Sequence, residues 1–296
     1  MVRDGRFAPS PTGTLHVGNL RTALVAWLFA RSQDARYLVR MEDLDRGRVR
    51  ERFYDEQLAD LAALGLDWDG PVVRQSERIA LYEQALGDLR AGGLVYECWC
   101  TRAEIREAAS AAHGPLPEGA YPGTCRSLSE AERIDRAASG RPPALRLRAD
   151  GAVVGFVDGV LGEQSGVVDD FVLRRGDGTF AYNLAVVVDD ADQGVGEVVR
   201  GADLVESAPR QLLLARLLGL PEPAYAHVPL VLGTDGARLA KRHGAVTLRD
   251  VAPADALRWM AESLGFGAAE SPGELLDRFD PGRIAREPTV WAGAGT

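Results

Sequence analysis

Near its start the chain reads Arg6-Phe7-Ala8-Pro9-Ser10-Pro11-Thr12-Gly13-Thr14-Leu15-His16-Val17-Gly18-Asn19, which is typical of a short strand, a turn of small residues and a helix start. The helix is indicated by apolar residues that recur every three or four positions: Leu20, Ala23, Leu24, Trp27 and Leu28. A helix that begins directly after a strand offers unpaired N–H groups and a positive dipole end to phosphate. Gly18 allows close backbone approach and His16 can donate to a phosphate oxygen, so we predict a phosphate site, although a lone histidine here is more often a cap.

His16-Val17-Gly18-Asn19 also resembles the HIGH motif of class I aminoacyl-tRNA synthetases, and the preceding Pro9-Ser10-Pro11-Thr12-Gly13 is similar to the glutamyl and glutaminyl branch. The resemblance extends to about residue 247. It implies an α/β fold, a Rossmann-like parallel sheet with an inserted zinc-containing module. It also implies that ATP, with Mg²⁺, binds at His16, Gly18 and Asn19, with His16 catalytic. The residues that it assigns to L-glutamate from this stretch are Arg6, Phe7, Ala8, Pro9 and Ser10.

Composition and charge exclude several classes of protein. At 296 residues, with 46% hydrophobic and 26% charged residues, the chain can fold as one large or two modest soluble domains. No apolar run approaches the roughly 18 residues of a membrane span, and the N-terminus lacks a signal-peptide core. The net charge of −9 argues against a general nucleic-acid coat, but a local basic face for one RNA is compatible with it. We expect a cytoplasmic monomer without membrane contact.

An acidic cluster follows the second predicted strand, Tyr37-Leu38-Val39-Arg40-Met41. In open α/β sheets, ligands bind beyond the carboxyl ends of the strands. Glu42 is therefore placed to meet an ammonium group, and we predict that it binds that of glutamate. For Asp43 and Asp45, a solvated acidic turn is an equally good interpretation.

All three cysteines fall between Cys98 and Cys125. Cys98 and Cys100 are too close for an ordinary disulfide, and zinc takes four ligands that are often thiolates. The spacing alone leaves zinc and buried reduced thiols open. The resemblance favours zinc, because Cys98, Cys100, Tyr121 and Cys125 match the zinc site of glutamyl-Q tRNA(Asp) synthetases and some glutamyl-tRNA synthetases. His113 is an alternative fourth ligand.

Alternating strand and helix patterns predict a parallel sheet covered by helices. The region from about 95 to 182 has a more antiparallel pattern, with a hairpin turn at Gly176-Asp177-Gly178. We therefore predict three parts. The catalytic core comprises residues 1–94 and 183–250, an inserted module of the acceptor-stem type comprises 95–182, and a short helical segment comprises 251–296.

The sheet is expected to resume in the apolar run Tyr182-Asn183-Leu184-Ala185-Val186-Val187-Val188-Asp189-Asp190 and in a strand over Val195–Gly201. Arg200 could bind a carboxylate bidentately, and the hydroxyl of Tyr182 could orient an amino acid. Without further context, an arginine such as Arg200 is more often a surface residue, and a tyrosine such as Tyr182 is more often a core residue. Both match the family pattern, which assigns them to glutamate.

A last strand is predicted over Val228–Gly233, followed by a basic loop to Gly244. The loop resembles the KMSKS loop in the Lys-Leu-Ser-Lys-Arg form of the glutamyl branch. Lys241 matches its second lysine, a catalytic cation for the ATP phosphates. Arg238 and Ala240 depart from the family pattern, and for Ala240 no role is expected.

The resemblance implies an enzyme that activates glutamate with ATP. Glutamyl-tRNA synthetases continue into a helical anticodon-binding domain, for which the roughly fifty residues after Lys241 are too few. The chain therefore resembles the paralogues without it, the glutamyl-Q tRNA(Asp) synthetases, whose acceptor is the queuosine base in the anticodon of tRNA(Asp). The alternatives are a truncated glutamyl-tRNA synthetase, another nucleotidyl transferase that makes a small molecule, and a non-catalytic zinc-dependent tRNA-binding module.

Overall fold

A computed structural model describes residues 3–110, 120–237, 239 and 246–291. His113, Arg238, Ala240 and Lys241 lie outside these ranges. The main sheet of the described chain has seven strands, all parallel except the last, which is antiparallel to its neighbour. In order across the sheet they are β3 (Val73–Arg74), β2 (Tyr37–Met41), β1 (Asp4–Phe7), β9 (Val195–Gly201), β10 (Ala224–Val228), β6 (Val153–Asp158) and β7 (Gly162–Val167).

Helices cover both faces of this sheet. Adjacent strand residues point to opposite faces, and Val198 and Val199 of β9 belong to two different apolar clusters. One cluster contains α1 and the other α6. None of the described helices is both long and apolar enough to cross a membrane. The helices are α1 (Val17–Arg31), α2 (Arg52–Ala63), α3 (Ile79–Ala91), α4 (Arg102–Ser110), α5 (Glu130–Ala137), α6 (Tyr182–Asp192), α7 (Ala208–Leu218), α8 (Pro253–Ser263) and α9 (Pro272–Leu276).

The region predicted as an inserted module divides between two sheets. Its strands β4 (Val95–Cys98), β5 (Ala144–Leu147) and β8 (Val172–Arg174) form a separate antiparallel sheet, as the sequence pattern indicated. Strands β6 and β7 instead join the main sheet, where Asp158 pairs in parallel with Tyr225 of β10. The main sheet therefore takes two strands from residues 95–182, which the predicted boundaries did not anticipate.

The strand predicted from Tyr182 to Asp190 is wrong, because these residues form helix α6. Seven consecutive residues, from Leu184 to Asp190, are buried, since the helix packs against α3, α7 and β9. A helix buried on most sides shows no amphipathic period, and its three consecutive valines locally favour a strand. Tertiary packing overrides that local preference.

The strand predicted over Val228–Gly233 also differs from the structure. The core strand β10 ends at Val228, and β11 (Val231–Leu232) forms a second small sheet with β12 (Thr289–Val290). The segment predicted as helical thus also contains a strand. Backbone bonds from Thr289 N to Leu230 O (3.0 Å) and from Trp291 N to Leu232 O (2.8 Å) fix it to the start of the basic loop.

A small apolar cluster, here called the loop-base cluster, lies around this pairing. It consists of Val17, Val231, Leu239 and Trp291, with Val246, Val251 and Trp259 packed against it. The rings of Trp259 and Trp291 meet edge to face with centroids 4.5 Å apart. The described residues on both sides of the loop are therefore packed against the first residue of α1.

Candidate active site

A cavity of about 600 Å³ opens at the carboxyl ends of β1 and β9. Parallel strands end together at this edge of the sheet, which is why residues distant in sequence meet there. The structure brings every described residue that the sequence assigned to glutamate or ATP to this cavity: Arg6, Phe7, Ala8, Pro9, Ser10, His16, Gly18, Asn19, Glu42, Tyr182 and Arg200.

The N-terminus of α1 is not the open phosphate cradle that the sequence suggested. His16 is its N-cap, and its Nδ1 accepts from the amides of Gly18 (3.1 Å) and Asn19 (3.2 Å). The amide of Val17 donates to Val246 O (2.9 Å) and that of Leu20 to His16 O (3.1 Å). The first four N–H groups are thus engaged, which leaves the helix dipole and side chains for an anion.

The same cap fixes the tautomer of His16. Because Nδ1 accepts two hydrogen bonds, the proton of the neutral ring is on Nε2. An Nε2–H group can donate to a phosphate oxygen. The capping role and the phosphate-binding role, which the sequence analysis treated as alternatives, are therefore compatible.

A buried ionic network forms the floor of the cavity. Asp190 accepts from both Nε and Nη2 of Arg6, each at 3.2 Å, and Nη1 of Arg40 lies 2.8 Å from it. Burial raises the pKa of Asp190, but the two guanidinium groups outweigh this and hold it below its usual range. The predicted ligand residue Arg6 is therefore already paired, and it stabilises the floor.

Glu42 lies at the edge of this network, with Oε1 3.7 Å from Nη2 of Arg40. Burial raises the pKa of Glu42 to about 7, against the opposing effect of Arg40 and Arg6. With a pKa near 7 its carboxyl group is partly protonated at neutral pH, and a bound cation would favour the carboxylate.

Arg200 is held from three sides by hydrogen bonds. Its Nε donates to His227 Nε2 (3.0 Å), its Nη1 to Gln211 Oε1 (2.7 Å) and its Nη2 to Leu204 O (3.2 Å). Nη1 also lies 3.4 Å from the hydroxyl of Tyr182, a side chain that is 37% exposed. Two of the five guanidinium N–H bonds remain for the cavity and the tyrosine, so the arginine is preorganised.

Sequence reasoning missed the residues behind Arg200. His227 and Asp158 are fully buried, and His227 Nδ1 lies 2.5 Å from Asp158 Oδ2. Asp158 ends strand β6, in the region assigned to the inserted module, and is 69 residues from His227. Its position at the carboxyl end of a strand was the available signal, but it required placing β6 in the main sheet.

The three cysteine sulfurs lie within 4.8 Å of one another at the end of β4. The distance from Cys100 Sγ to Cys125 Sγ is 3.5 Å. The hydroxyl of Tyr121 is 3.4 Å from Cys98 Sγ and 3.7 Å from Cys100 Sγ. Three clustered thiols are the kind of donor that zinc prefers, and the hydroxyl of Tyr121 lies near enough to complete a set of four.

A second cavity, of about 520 Å³, adjoins the first and shares Ser10, Glu42 and Tyr182 with it. It extends to Cys100 and to the arginines Arg102 and Arg175 of the antiparallel module. The two cavities therefore connect the predicted glutamate site with the cysteine cluster.

Comparison with known proteins assigns the family. Residues 2–263 match the catalytic domain of class I tRNA synthetases of the E and Q type. A glutamyl-Q tRNA(Asp) synthetase from Nocardia farcinica is 62% identical over 97% of this chain and 92% of its own length. The chain belongs to the glutamyl-Q tRNA(Asp) synthetase family. It is therefore a ligase of the aminoacyl-tRNA synthetase type.

Other relatives of this synthetase agree with the assignment. The glutamyl-Q tRNA(Asp) synthetase of Symbiobacterium thermophilum is 49% identical over 96% of this chain and 94% of that protein. A crystal structure of a glutamate tRNA ligase from Elizabethkingia meningosepticum, in complex with its amino acid, has a TM-score of 0.82 at 25% identity. That likeness covers 99% of this synthetase and 67% of the solved chain. The class I synthetase fold predicted from the sequence is confirmed.

Proposed function

We propose that this synthetase activates L-glutamate with ATP and transfers the glutamyl group to the queuosine base in the anticodon of tRNA(Asp). The observation that carries the proposal is the cavity at the ends of β1 and β9. It combines a preorganised cation, Arg200, with an acid, Glu42, and a capped histidine, His16. These groups complement the side-chain carboxylate, the ammonium and the phosphates of the substrates.

In the first step, an oxygen of the glutamate α-carboxylate attacks the α-phosphorus of ATP. The bond from that phosphorus to the bridging oxygen breaks, and pyrophosphate leaves with the electron pair. Arg200 and Tyr182 orient the side-chain carboxylate, and Glu42 holds the ammonium. His16 and Lys241 stabilise the charge on the phosphates, whose Mg²⁺ enters with ATP.

In the second step, a secondary hydroxyl of the queuosine ring attacks the activated carbonyl carbon. AMP leaves, and the hydroxyl proton is released as the ester forms. The cavity that adjoins the glutamate site supports this route, because a base entering there would reach Glu42 and Tyr182. Arg102 and Arg175 are suited to the phosphates of the same RNA.

We also propose that Cys98, Cys100, Cys125 and Tyr121 hold one structural zinc ion. A closed site of four protein ligands leaves no open position for catalysis. The ion would tie the end of β4 to residues 121–125 and thereby shape the wall of the second cavity, which Cys100 lines.

A truncated glutamyl-tRNA synthetase is the second candidate, favoured by the similarity to the glutamate tRNA ligase structure. Pyrophosphate exchange with glutamate, with and without tRNA, tests the first step for both. Labelled glutamate is then offered with tRNA(Asp) carrying or lacking queuosine, after nuclease removal of the 3′-terminal adenosine. Label that requires queuosine and survives trimming supports our proposal, whereas label that requires the 3′ adenosine of tRNA(Glu) overturns it.

A further inference from the structure

Arg200 differs from the other buried arginines of the cavity in how its charge is balanced. Arg6 and Arg40 both contact the carboxylate of Asp190. Within the described ranges, no carboxylate forms an ion pair with Arg200. Its hydrogen-bond acceptors are an imidazole nitrogen, an amide oxygen, a backbone carbonyl and a phenol.

The geometry of His227 keeps that imidazole neutral. Its Nε2 accepts from Arg200, so its proton is on Nδ1, where it is donated to Asp158. Burial, together with the charge of Arg200, lowers the pKa of His227 despite Asp158. Asp158 is itself held by the amides of Val160 (3.0 Å) and Leu161 (2.9 Å). The nearest buried counter-charge on this side is therefore one imidazole ring away from the guanidinium.

Gln211 provides the second neutral acceptor. Its Nε2 donates to Asn183 Oδ1 (3.1 Å), which turns its Oε1 toward Arg200. The hydroxyl of Tyr225 donates to the same oxygen at 3.3 Å. A glutamate at this position would have the same shape, yet here the position carries no charge.

We propose that these neutral acceptors, with Asp158 held one imidazole away, make the cavity select a carboxylate side chain over its amide. They fix the direction of the guanidinium without neutralising it, so its charge remains for the ligand. A carboxylate in direct contact would satisfy Arg200 and repel a second carboxylate at this buried guanidinium. The proposal rests on the function above, in which this cavity binds glutamate.

The test introduces a carboxylate beside Arg200 without changing side-chain shape. Gln211→Glu is compared with the wild type in pyrophosphate exchange, and kcat/KM is measured for glutamate and for glutamine. We expect the glutamate-to-glutamine ratio to fall by at least about ten-fold, through the KM for glutamate, while the KM for ATP is unchanged.

A second pair of variants keeps the proposal testable if Gln211→Glu does not fold. The double variant Asp158→Asn with His227→Glu keeps the net charge but moves the carboxylate next to Arg200. Its glutamate-to-glutamine ratio of kcat/KM should also fall by at least about ten-fold. The single variant His227→Gln retains a neutral acceptor and should keep the ratio within about three-fold.

The outcomes separate this inference from the proposed function. A wild-type protein without glutamate-dependent exchange overturns the proposed function. Wild-type exchange combined with an unchanged ratio in a folded Gln211→Glu or double variant overturns the inference alone. An equal loss in His227→Gln also overturns it, since the imidazole would then act through its shape.

Discussion

Glu42 is a cavity residue whose charge we expect to change near neutral pH. Burial raises its pKa to about 7, and only its carboxylate form attracts an ammonium group. We therefore predict that the KM for glutamate rises roughly ten-fold as the pH falls from 8 to 6, measured by pyrophosphate exchange. Glu42→Gln should raise the KM throughout this range and remove the dependence, and an unchanged slope in that variant would assign the titration to another group.

The titration of Glu42 should also make the free energy of unfolding depend on pH. The raised pKa of Glu42 means that the folded protein holds this proton more tightly than the unfolded chain, whose reference value is 4.5. The free energy of unfolding that this group contributes is present below pH 4.5 and is lost as the pH rises through 7. Denaturant titrations at pH 5 and pH 8 measure this decrease in the free energy of unfolding. It should be absent in Glu42→Gln.

His16 combines a capping role with a proposed catalytic role, and two substitutions separate them. Asparagine is a good N-cap, but its shorter side chain places its amide N–H group short of the position that Nε2–H of His16 occupies, whereas alanine is a poor cap. Both His16→Asn and His16→Ala should lower the exchange rate by about 10²–10³. Only His16→Ala should also destabilise the protein, by about 1 kcal/mol in a denaturant titration.

Lys241→Ala should lower the exchange rate to a similar degree without a change in stability. Near-normal pyrophosphate exchange in both His16→Asn and Lys241→Ala would contradict the proposal that the ATP phosphates bind at this end of the sheet.

At the level of elements, local pattern sufficed where local structure depends on local interactions. The helix after His16 was predicted from its period and is confirmed as α1, and Val195–Gly201 is confirmed as β9. Helix α6 could not be predicted, because its burial on most sides removes the polar face that indicates a helix. Glycines with positive φ, Gly65 and Gly93, follow the ends of α2 and α3, and such a glycine is a local signal for the end of a helix.

The cysteine cluster yields a prediction for the antiparallel module. The purified protein, prepared without chelators, should contain about one equivalent of zinc, and Cys125→Ser should contain far less. Tyr96→Phe removes a hydrogen bond to Asp170 in the same module and is the matched control, since it leaves the proposed ligands intact. Elemental analysis distinguishes them, and less than a tenth of an equivalent in the wild type would contradict the zinc assignment.

At the scale of the whole molecule, residues that line the cavity could be predicted from the sequence, but the buried residues that hold Arg200 in place could not. Residues at strand ends, such as Glu42 and Arg200, were predictable because parallel strands end at one edge. The contact between Asp158 and His227 was not, since it depends on β6 lying beside β10, and no local pattern encodes which strands become neighbours. Lys241 remains a prediction from the resemblance.

The pairing of β12 with β11 predicts that residues far from the substrates position the basic loop. Trp291 packs in the loop-base cluster next to Val17, the residue after His16. Trp291→Ala should therefore raise the KM for ATP and lower the exchange rate at least several-fold, with little change in glutamate affinity. Val290→Ala is the control, because Val290 directly precedes Trp291 in the chain and is 49% exposed. Equal effects of the two substitutions would exclude a specific role for the tryptophan.

The edge-to-face pair in this cluster also has an optical consequence. Trp259 and Trp291 are two of the five tryptophans in the chain, and indole emission responds to the packing around the ring. Leu239 and Val231 belong to the same loop-base cluster as this tryptophan pair. Nucleotide that binds to the basic loop should therefore shift the intrinsic fluorescence, whereas glutamate alone should not. Tryptophan fluorescence should then follow nucleotide binding in stopped-flow mixing without an added label. The change in fluorescence should disappear in Trp291→Phe.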